Sequence, residues 1–183
     1  MTPDDWVTLL APFDGWNERM LMATFALTGL PPTYLDVGSG TGAMVNFARR
    51  LGIEAFGLDQ TVRDHDYLIT HDLREPCDIG RKFHLVTCLE VAEHIPPTKA
   101  EILCSTIARH MELGALLIFS AACPGQGGDD HLNNQPATYW RTLFHERGVG
   151  YQIEMTPRLA HAWDLLRSPL FWLISNVQVF VKG

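Results

Sequence analysis

Cysteine and long apolar runs are scarce in this sequence. It has four cysteines among 183 residues, and none of them forms a CxxC pair. This scarcity argues against a disulfide-stabilised secreted domain and against a thiolate metal site, and it predicts a reducing compartment. The apolar stretch from Leu170 to Val181 is too short to span a bilayer and contains Asn176. The N-terminus also lacks the basic and apolar regions of a signal peptide, so we predict a soluble, cytoplasmic protein.

Positive charge is scarce as well. The chain has 14 Lys and Arg residues against 21 Asp and Glu residues, and the basic residues form no cluster. The balance argues against a long nucleic acid as the main partner, whereas a small nucleotide or one flipped base is still compatible. The apolar fraction of 46% and the charged fraction of 19% are ordinary for a globular protein. The length predicts a single domain over residues 1–183 and leaves the oligomeric state open.

Seven short apolar runs predict β-strands. Helical patterns and turns separate them, and this alternation favours an α/β fold with a mostly parallel sheet and helices on both faces. The predicted strands are Tyr34–Val37, Glu54–Leu58, Tyr67–Thr70, Phe83–Leu89, Ala115–Ala121, Tyr151–Met155 and Val177–Val181.

Residues 1–30 predict an N-terminal helical cap. Thr2 precedes a proline and two acids, which is typical of a helix start, so we expect a short helix that reaches about Leu10. A second helix is expected from Asp14 to about Leu27, because a glycine follows shortly after it.

Two later segments connect the fourth, fifth and sixth predicted strands. Thr98 and Glu101 have the spacing of a capping box, and we expect the helix that follows to continue through Met111. Residues 122–135 form a polar, glycine-rich loop, and loops of this length are usually functional or disordered. Ligands bind at the carboxyl edge of parallel sheets, so we expect this segment to be an active-site loop.

Residues 34–42, Tyr-Leu-Asp-Val-Gly-Ser-Gly-Thr-Gly, join a buried strand to a glycine-rich loop and a helix start. Such a junction cradles an anionic, adenosine-bearing cofactor, because backbone N–H groups face the ligand and glycine has no Cβ to block its approach. Asp59 ends the next strand, where a ribose diol would find an acceptor. Ala43 also completes a G-x-G-x-x-A pattern, which keeps a dinucleotide open at this point.

Two further motifs separate these alternatives. His71-Asp72-Leu73 follows the third predicted strand, and Leu89-Glu90-Val91-Ala92-Glu93-His94-Ile95-Pro96 ends and follows the fourth. Together with the glycine loop and Asp59, these motifs resemble those of class I S-adenosylmethionine-dependent methyltransferases, and the resemblance covers Tyr34 to Lys182. It implies a Rossmann-like seven-stranded sheet with the last strand antiparallel, and S-adenosylmethionine as the cofactor.

The resemblance also implies which residues bind the cofactor. Gly38 and Gly40 would let the backbone approach its methionine part, with Asp36 beneath. Asp59 would hold both ribose hydroxyls, and Asp72 would bind the adenine amino group. The complete implied set is Asp36, Gly38, Gly40, Gly42, Asp59, Asp72, Leu73, Leu89 and Glu90.

The acceptor chemistry depends on Glu90, Glu93, His94 and His131. Two carboxylates and two imidazoles make a mixed shell suited to a divalent cation such as Mg²⁺, Mn²⁺, Fe²⁺ or Zn²⁺. A similar Glu-x-x-Glu-His run occurs in ubiquinone-pathway O-methyltransferases and small-RNA 2′-O-methyltransferases, where it is associated with metal, and His131 is an addition to that pattern. Without a metal, the candidate catalytic residues are His131, His94 and Glu90, with His131 as the base. The alternative is a structural role, in which Glu90 lines the cofactor pocket and His94 packs under the next helix.

These observations predict methyl transfer from S-adenosylmethionine to a small polar acceptor, at an oxygen atom. Two other classes of function are also compatible with the sequence. A nucleotide-dependent oxidoreductase fits the G-x-G-x-x-A pattern, and a non-catalytic cofactor-binding partner subunit would keep the same glycines and acids without turnover.

Overall fold

Strands and helices alternate along residues 3–61 and 65–183, which are the part of the chain that the computed structural model describes. The strands are β1 (Thr33–Val37), β2 (Glu54–Asp59), β3 (Leu68–Thr70), β4 (Phe83–Leu89), β5 (Met111–Ser120), β6 (Val149–Tyr151) and β7 (Gln178–Lys182). The α-helices are α1 (Pro3–Leu10), α2 (Asp14–Thr28), α3 (Ala43–Arg50), α4 (Ala100–Arg109), α5 (Ala137–His145), α6 (Met155–Asp164) and α7 (Phe171–Asn176).

The strands form one seven-stranded sheet in the order β3-β2-β1-β4-β5-β7-β6. The pairings among β1 to β5 are parallel, and β7 runs antiparallel to both β5 and β6. The predicted sheet with an antiparallel last strand is therefore confirmed. Strands β2 and β3 lie on one side of β1, and the chain then crosses to form β4 on the other side. This change of direction opens a crevice at the carboxyl ends of β1 and β4.

Helices cover both faces of the sheet, as a buried parallel sheet requires. Helices α4 and α5 pack on one face, and α2, α3, α6 and α7 pack on the other. The first face is filled by Leu103, Ile107, Trp140 and Phe144, and the second by Met20, Val45, Trp163 and Leu173.

The two N-terminal helices lie close to where they were predicted. Helix α1 ends at Leu10 and α2 begins at Asp14, with a 3₁₀ turn between them. Gly29 follows α2 with a φ of 84° and donates its N–H to the Phe25 carbonyl oxygen at 2.8 Å. The predicted N-terminal cap at Thr2 lies outside the described residues.

The predicted capping box at Thr98 and Glu101 is wrong. Residues Pro97–Lys99 form a 3₁₀ turn, and α4 begins only at Ala100, without a side-chain cap. The Lys99 N–H donates instead to the Pro96 carbonyl oxygen at 2.8 Å, so the consecutive prolines set the tighter turn.

Two predicted boundaries in the second half of the chain are also wrong. Met111 does not continue α4, because the helix ends at Arg109 and Met111 pairs with Phe83 as the first residue of β5. The sixth strand is Val149–Tyr151, and Met155 begins α6. Helices α6 and α7 had no counterpart in the sequence prediction.

No helix among the described residues combines the length and the apolar character needed to cross a membrane.

Candidate active site

A cavity of about 500 Å³ opens at the carboxyl ends of β1, β2, β3 and β4. Eight of the nine predicted cofactor-binding residues line it, together with His94 from the segment that follows β4. The eight are Asp36, Gly38, Gly40, Asp59, Asp72, Leu73, Leu89 and Glu90.

The glycine loop lies directly against its neighbours. Gly38 has a φ of 79°, and a Cβ at this position would overlap the Val91 side chain. Gly42 has a φ of 77° and does not line the cavity, and its Cβ would lie 2.9 Å from a Leu68 methyl carbon. Glycine is therefore required at position 38 because the loop packs on Val91, whereas Gly42 allows the turn into α3 to pack on β3.

Asp59 holds the loop from below through both carboxylate oxygens. The Gly40 N–H donates to Asp59 Oδ2 at 2.8 Å. The Thr61 N–H and hydroxyl both donate to Asp59 Oδ1 at 2.7 Å. These bonds orient the carboxylate at the end of β2, where it lines the cavity.

Asp36 is 4% exposed and accepts a hydrogen bond from the Thr87 hydroxyl at 2.5 Å. The Tyr34 hydroxyl lies 2.7 Å from the same Thr87 oxygen. Burial raises the pKa of Asp36 to about 7, and the Thr87 hydrogen bond opposes that rise. The acid is therefore placed where a cationic ligand group would stabilise its charge.

Asp72 is more exposed and is held by Arg74. The Arg74 side chain donates to both carboxylate oxygens at 2.6–3.0 Å, and its backbone N–H donates to Oδ1 at 2.9 Å. These bonds keep the pKa of Asp72 below its usual value. The carboxylate is thus fixed at the cavity edge beside Leu73.

Residues from both ends of the chain complete the cavity wall. The Thr41 hydroxyl donates to Asp14 Oδ1 at 2.7 Å, which ties the start of α2 to the glycine loop. The wall contributed by these segments contains Leu9, Leu10, Phe13, Asp14 and Asn17 near the N-terminus and Leu170, Trp172 and Leu173 near the C-terminus.

Glu90 has a left-handed backbone, with a φ of 53° that is uncommon for a residue with a side chain. Its N–H lies 3.1 Å from both the carbonyl and the hydroxyl oxygen of Ser120. Its Oε1 accepts a hydrogen bond from Asn176 Nδ2 at 3.4 Å, and burial raises the pKa of its carboxyl. This strained turn aims the carboxyl into the cavity.

Glu93, His94 and His131 form a second cluster beside the cavity, in which one ligand atom from each lies within 4.8 Å of the others. The Glu90 carboxylate, predicted as a fourth member, is not part of this cluster. Glu93 is fully buried, its Oε1 accepts from the Ala122 N–H at 3.2 Å, and its Oε2 has no hydrogen-bond partner. Burial and the neighbouring Glu90 raise the pKa of Glu93.

The ring nitrogens of His94 have distinct roles. Nδ1 lies 3.2 Å from the Asp130 carbonyl oxygen, which only accepts, so Nδ1 carries the hydrogen and Nε2 presents a lone pair. Burial lowers the pKa of His94, which favours the neutral ring. The buried Nδ1 of His131 has no hydrogen-bond partner. A neutral imidazole such as that of His94 accepts a proton or binds a cation.

The loop of residues 122–135 reaches the site through this cluster. The N–H groups of Leu132 and Asn133 donate to the Glu93 carbonyl oxygen at 2.8 and 2.9 Å. The His131 ring then contacts His94 with centroids 5.0 Å apart. No residue of this loop lines the described cavity wall itself, so its contribution comes through His94.

The sequence pattern of a known family, described as a methyltransferase domain, matches residues 15–164. The chain belongs to this family. The resemblance to class I S-adenosylmethionine-dependent methyltransferases, seen in the glycine loop and in the acids that follow β2, β3 and β4, is thereby confirmed.

Curated relatives of this methyltransferase domain carry one shared name. The chain is 29% identical to the ubiquinone biosynthesis O-methyltransferase of Alkalilimnicola ehrlichii over 74% of its own length and 54% of that protein. It is 27% identical to the enzyme of the same name from Hahella chejuensis, over 74% of the chain and 56% of that protein. The chain thus spans about half the length of the curated relatives it matches.

Solved structures share the fold of this methyltransferase domain at low sequence identity. Streptomyces venezuelae DesVI superposes with a TM-score of 0.67 at 15% identity, over 100% of this chain and 99% of that chain. CalS10, an amino pentose methyltransferase from Micromonospora echinaspora solved with bound SAM, has a TM-score of 0.64 at 14% identity, over 92% of each chain.

The sequence analysis did not predict four residues that contact the candidate site. Tyr34 and Thr87 form the hydrogen bonds beneath Asp36, and Ser120 and Asn176 contact Glu90. The two-residue spacing of Tyr34 and Asp36 on one strand was the only signal available, because alternate strand residues share a face. The other three contacts depend on strand register and on α7.

Proposed function

We propose that this methyltransferase domain transfers a methyl group from S-adenosylmethionine to a hydroxyl oxygen of a small polar acceptor. The observation that carries the proposal is a single cavity that joins the glycine loop and Asp59 to Glu90 and His94. The relatives named O-methyltransferases support oxygen as the acceptor atom. Bound SAM in CalS10, which has the same fold, supports the cofactor.

The cofactor would lie across the carboxyl ends of β1 and β2. Asp59 would accept from the ribose hydroxyls, and Asp72 would accept from the adenine amino group beside Leu73. The glycine loop would face the methionine part, since Gly38 and Gly40 line the cavity beside Asp36. Asp36 would accept from the α-ammonium group, the nitrogen of the cofactor that is mainly protonated at neutral pH.

The acceptor would lie between the cofactor and His94. S-Adenosylmethionine supplies a methyl group on a sulfonium, whose neutral thioether is a good leaving group. As the C–O bond forms and the C–S bond breaks, Nε2 of His94 would take the hydroxyl proton. The His131 ring would lie beside His94 as it does so. The products are a methyl ether, S-adenosylhomocysteine and a protonated imidazole. Holding both reactants in line supplies much of the rate.

A divalent cation is a second candidate for activating the acceptor hydroxyl. Glu93 Oε2 and His131 Nδ1 are buried without hydrogen-bond partners, and both atom types bind Mn²⁺, Fe²⁺ or Zn²⁺. Their spacing to His94, within 4.8 Å, is compatible with ligand distances of about 2 Å around one ion. Bound there, the ion would lower the pKa of an acceptor hydroxyl. Residues 122–135 would then act as an active-site loop, since they supply His131.

Calorimetric titration with S-adenosylhomocysteine, with NADH as the comparison, tests the cofactor. We expect saturable binding of S-adenosylhomocysteine alone, because family membership favours methyl transfer over the oxidoreductase alternative. Binding of NADH alone would refute the proposal.

A panel of catechols, phenols and sugars, assayed with tritiated S-adenosylmethionine, tests the acceptor. Turnover of a hydroxylated compound supports O-methylation. Cofactor binding without turnover on any member of the panel would instead favour the non-catalytic partner subunit.

Assays with and without a chelator test whether a cation is needed for turnover. Metal analysis of His131→Ala, with the exposed His145→Ala as control, tests whether His131 binds it.

A further inference from the structure

Three oxygen-bearing side chains form a buried row beneath the glycine loop. Tyr34 and Asp36 lie on the same face of β1, because alternate strand residues share a face. Thr87 on β4 is the register partner of Asp36. Tyr34, Thr87 and Asp36 are 0%, 1% and 4% exposed, so solvent reaches only the Asp36 end, at the cavity.

The direction of the hydrogen bonds in this row follows from the number of hydrogens available. The Thr87 hydroxyl has one hydrogen, which it donates to Asp36 Oδ1 at 2.5 Å. The Tyr34 hydroxyl lies 2.7 Å from the same Thr87 oxygen and therefore donates to it. Two O–H dipoles in series thus point toward the Asp36 carboxylate.

No unpaired Lys or Arg side chain among the described residues of the cavity wall is available to neutralise the Asp36 carboxylate. Among the described residues of the cavity wall, Arg74 is the only Lys or Arg, and its guanidinium is paired with Asp72. Asp59 on the neighbouring strand opposes the Asp36 charge further. The two O–H groups offset only part of the free-energy cost of burying the Asp36 charge, because the hydrogen bonds of a hydroxyl are weaker than those of an ammonium group.

We propose that Tyr34 and Thr87 are positioning residues that hold the Asp36 carboxylate, charged and correctly oriented, as the acceptor for the α-ammonium group at the methionine end of the cofactor. This inference rests on the proposed function and adds to it two residues that do not touch the ligand. The row acts on one part of the cofactor, so its loss changes ligand selectivity as well as affinity.

Titration with three ligands isolates that part. S-Adenosylhomocysteine has the α-ammonium and α-carboxylate groups, 5′-methylthioadenosine lacks both, and 5′-(3-aminopropylthio)adenosine keeps only the amine. In Thr87→Val, we expect about tenfold weaker binding of the two amine-bearing ligands, the usual effect of one lost hydrogen bond to a charged partner. Binding of 5′-methylthioadenosine should stay within about twofold of wild type, since its adenosine contacts are intact.

Three further variants complete the experiment. Thr87→Ser keeps the hydroxyl and should restore wild-type selectivity, while Tyr34→Phe should weaken the amine-bearing ligands by about threefold because the Thr87 bond to Asp36 remains. Thr106→Val removes a buried threonine hydroxyl from α4, far from the row, and should change no ligand affinity. Thermal melts of each variant establish that the fold is intact.

The outcomes are distinct. Selective loss of the amine-bearing ligands in Thr87→Val, with rescue by Thr87→Ser, supports the row as a positioning device. An equal loss for all three ligands, or no loss, would overturn it. Failure of the wild-type protein to bind S-adenosylhomocysteine would refute the proposed function itself, which separates the two conclusions.

Discussion

The imidazole rings of His94 and His131 meet edge to face with centroids 5.0 Å apart, although one follows β4 and the other lies in the loop before α5. The contact is held by the loop backbone directly after His131, where the N–H groups of Leu132 and Asn133 donate to the Glu93 carbonyl oxygen. A residue of the cavity wall is thereby joined to one that the cavity does not reach.

This contact predicts a separation of turnover from cofactor binding. We expect His94→Ala and His131→Ala to lower kcat by about 100-fold, the usual contribution of a general base or of a cation that replaces it. The affinity for S-adenosylhomocysteine should change little, because neither ring is assigned to the cofactor. Steady-state kinetics on the best acceptor of the panel and calorimetry measure the two effects. Exposed His145→Ala is the matched control, and an unchanged kcat in both site variants would contradict the assignment.

The overlap of a Gly38 Cβ with Val91 predicts the effect of a single methyl group. Gly38→Ala should lower the free energy of unfolding by about 2 kcal/mol or more, from the steric clash together with the positive φ. It should also abolish binding of S-adenosylhomocysteine. Gly15→Ala, in the first turn of α2 with open space around it, should instead gain up to about 1 kcal/mol. Urea denaturation measures both, and equal stability of the two variants would refute the steric argument.

The double role of Asp59 predicts a large effect of Asp59→Asn. The amide keeps one acceptor oxygen, so it cannot accept from Gly40, from Thr61 and from a ribose diol at once. We expect binding of S-adenosylhomocysteine to weaken by about 10- to 100-fold, the usual effect of losing charge-assisted hydrogen bonds. Calorimetry measures it, with the exposed Asp66→Asn as control. Binding within twofold of wild type would exclude Asp59 from the ribose site.

The buried ring of His110 predicts a pH dependence of stability away from the cavity. Its Nδ1 donates to the Thr106 carbonyl oxygen at 2.7 Å, and its Nε2 accepts from the Ile79 N–H at 3.1 Å, so the ring is neutral. Burial lowers its pKa, against the opposing effect of Asp78. The unfolded chain therefore binds this proton more readily than the folded protein does. The contribution is fully present above about pH 6.5 and is lost as the pH falls toward the folded-state pKa.

The measurement is urea denaturation at pH 7.5 and 5.5 for the wild type and for His110→Gln, which cannot titrate. Taking the difference between the two proteins removes the contribution of the other ionisable groups. The wild type should lose more stability on acidification than the variant, and His145→Gln should behave like the wild type. Equal acid sensitivity of wild type and His110→Gln would contradict the neutral ring.

Much of the fold was predictable because its strands are short, continuous apolar runs between turn residues. Tyr34–Val37 and Phe83–Leu89 are buried on both faces, and such runs do not depend on distant partners for their detection. The glycine loop and Asp59 were predictable for the same reason, since they directly follow such strands. The capping box failed because Pro96 imposed a 3₁₀ turn whose local geometry outweighed the Thr98 motif.

The remaining features depend on long-range packing. The register of β1 on β4 places Thr87 opposite Asp36, and nothing in either segment alone specifies it. Helix α7 brings Asn176 to Glu90 from the far end of the chain. The contact of His131 with His94 requires the loop to fold back along Glu93. Each of these residues can be read from the sequence, but the residue that it contacts could not be predicted from the sequence.

The position of β7 has a consequence for the order in which the protein folds. Among the described strands, β6 pairs only with β7, so the sheet cannot extend beyond β5 until residues 178–182 have emerged from the ribosome. Helix α7 directly precedes β7, and its Asn176 contacts Glu90. During synthesis, the outer edge of β5 thus has no partner strand until β7 is made, and we expect β6, β7 and the Glu90 side of the cavity to become ordered together.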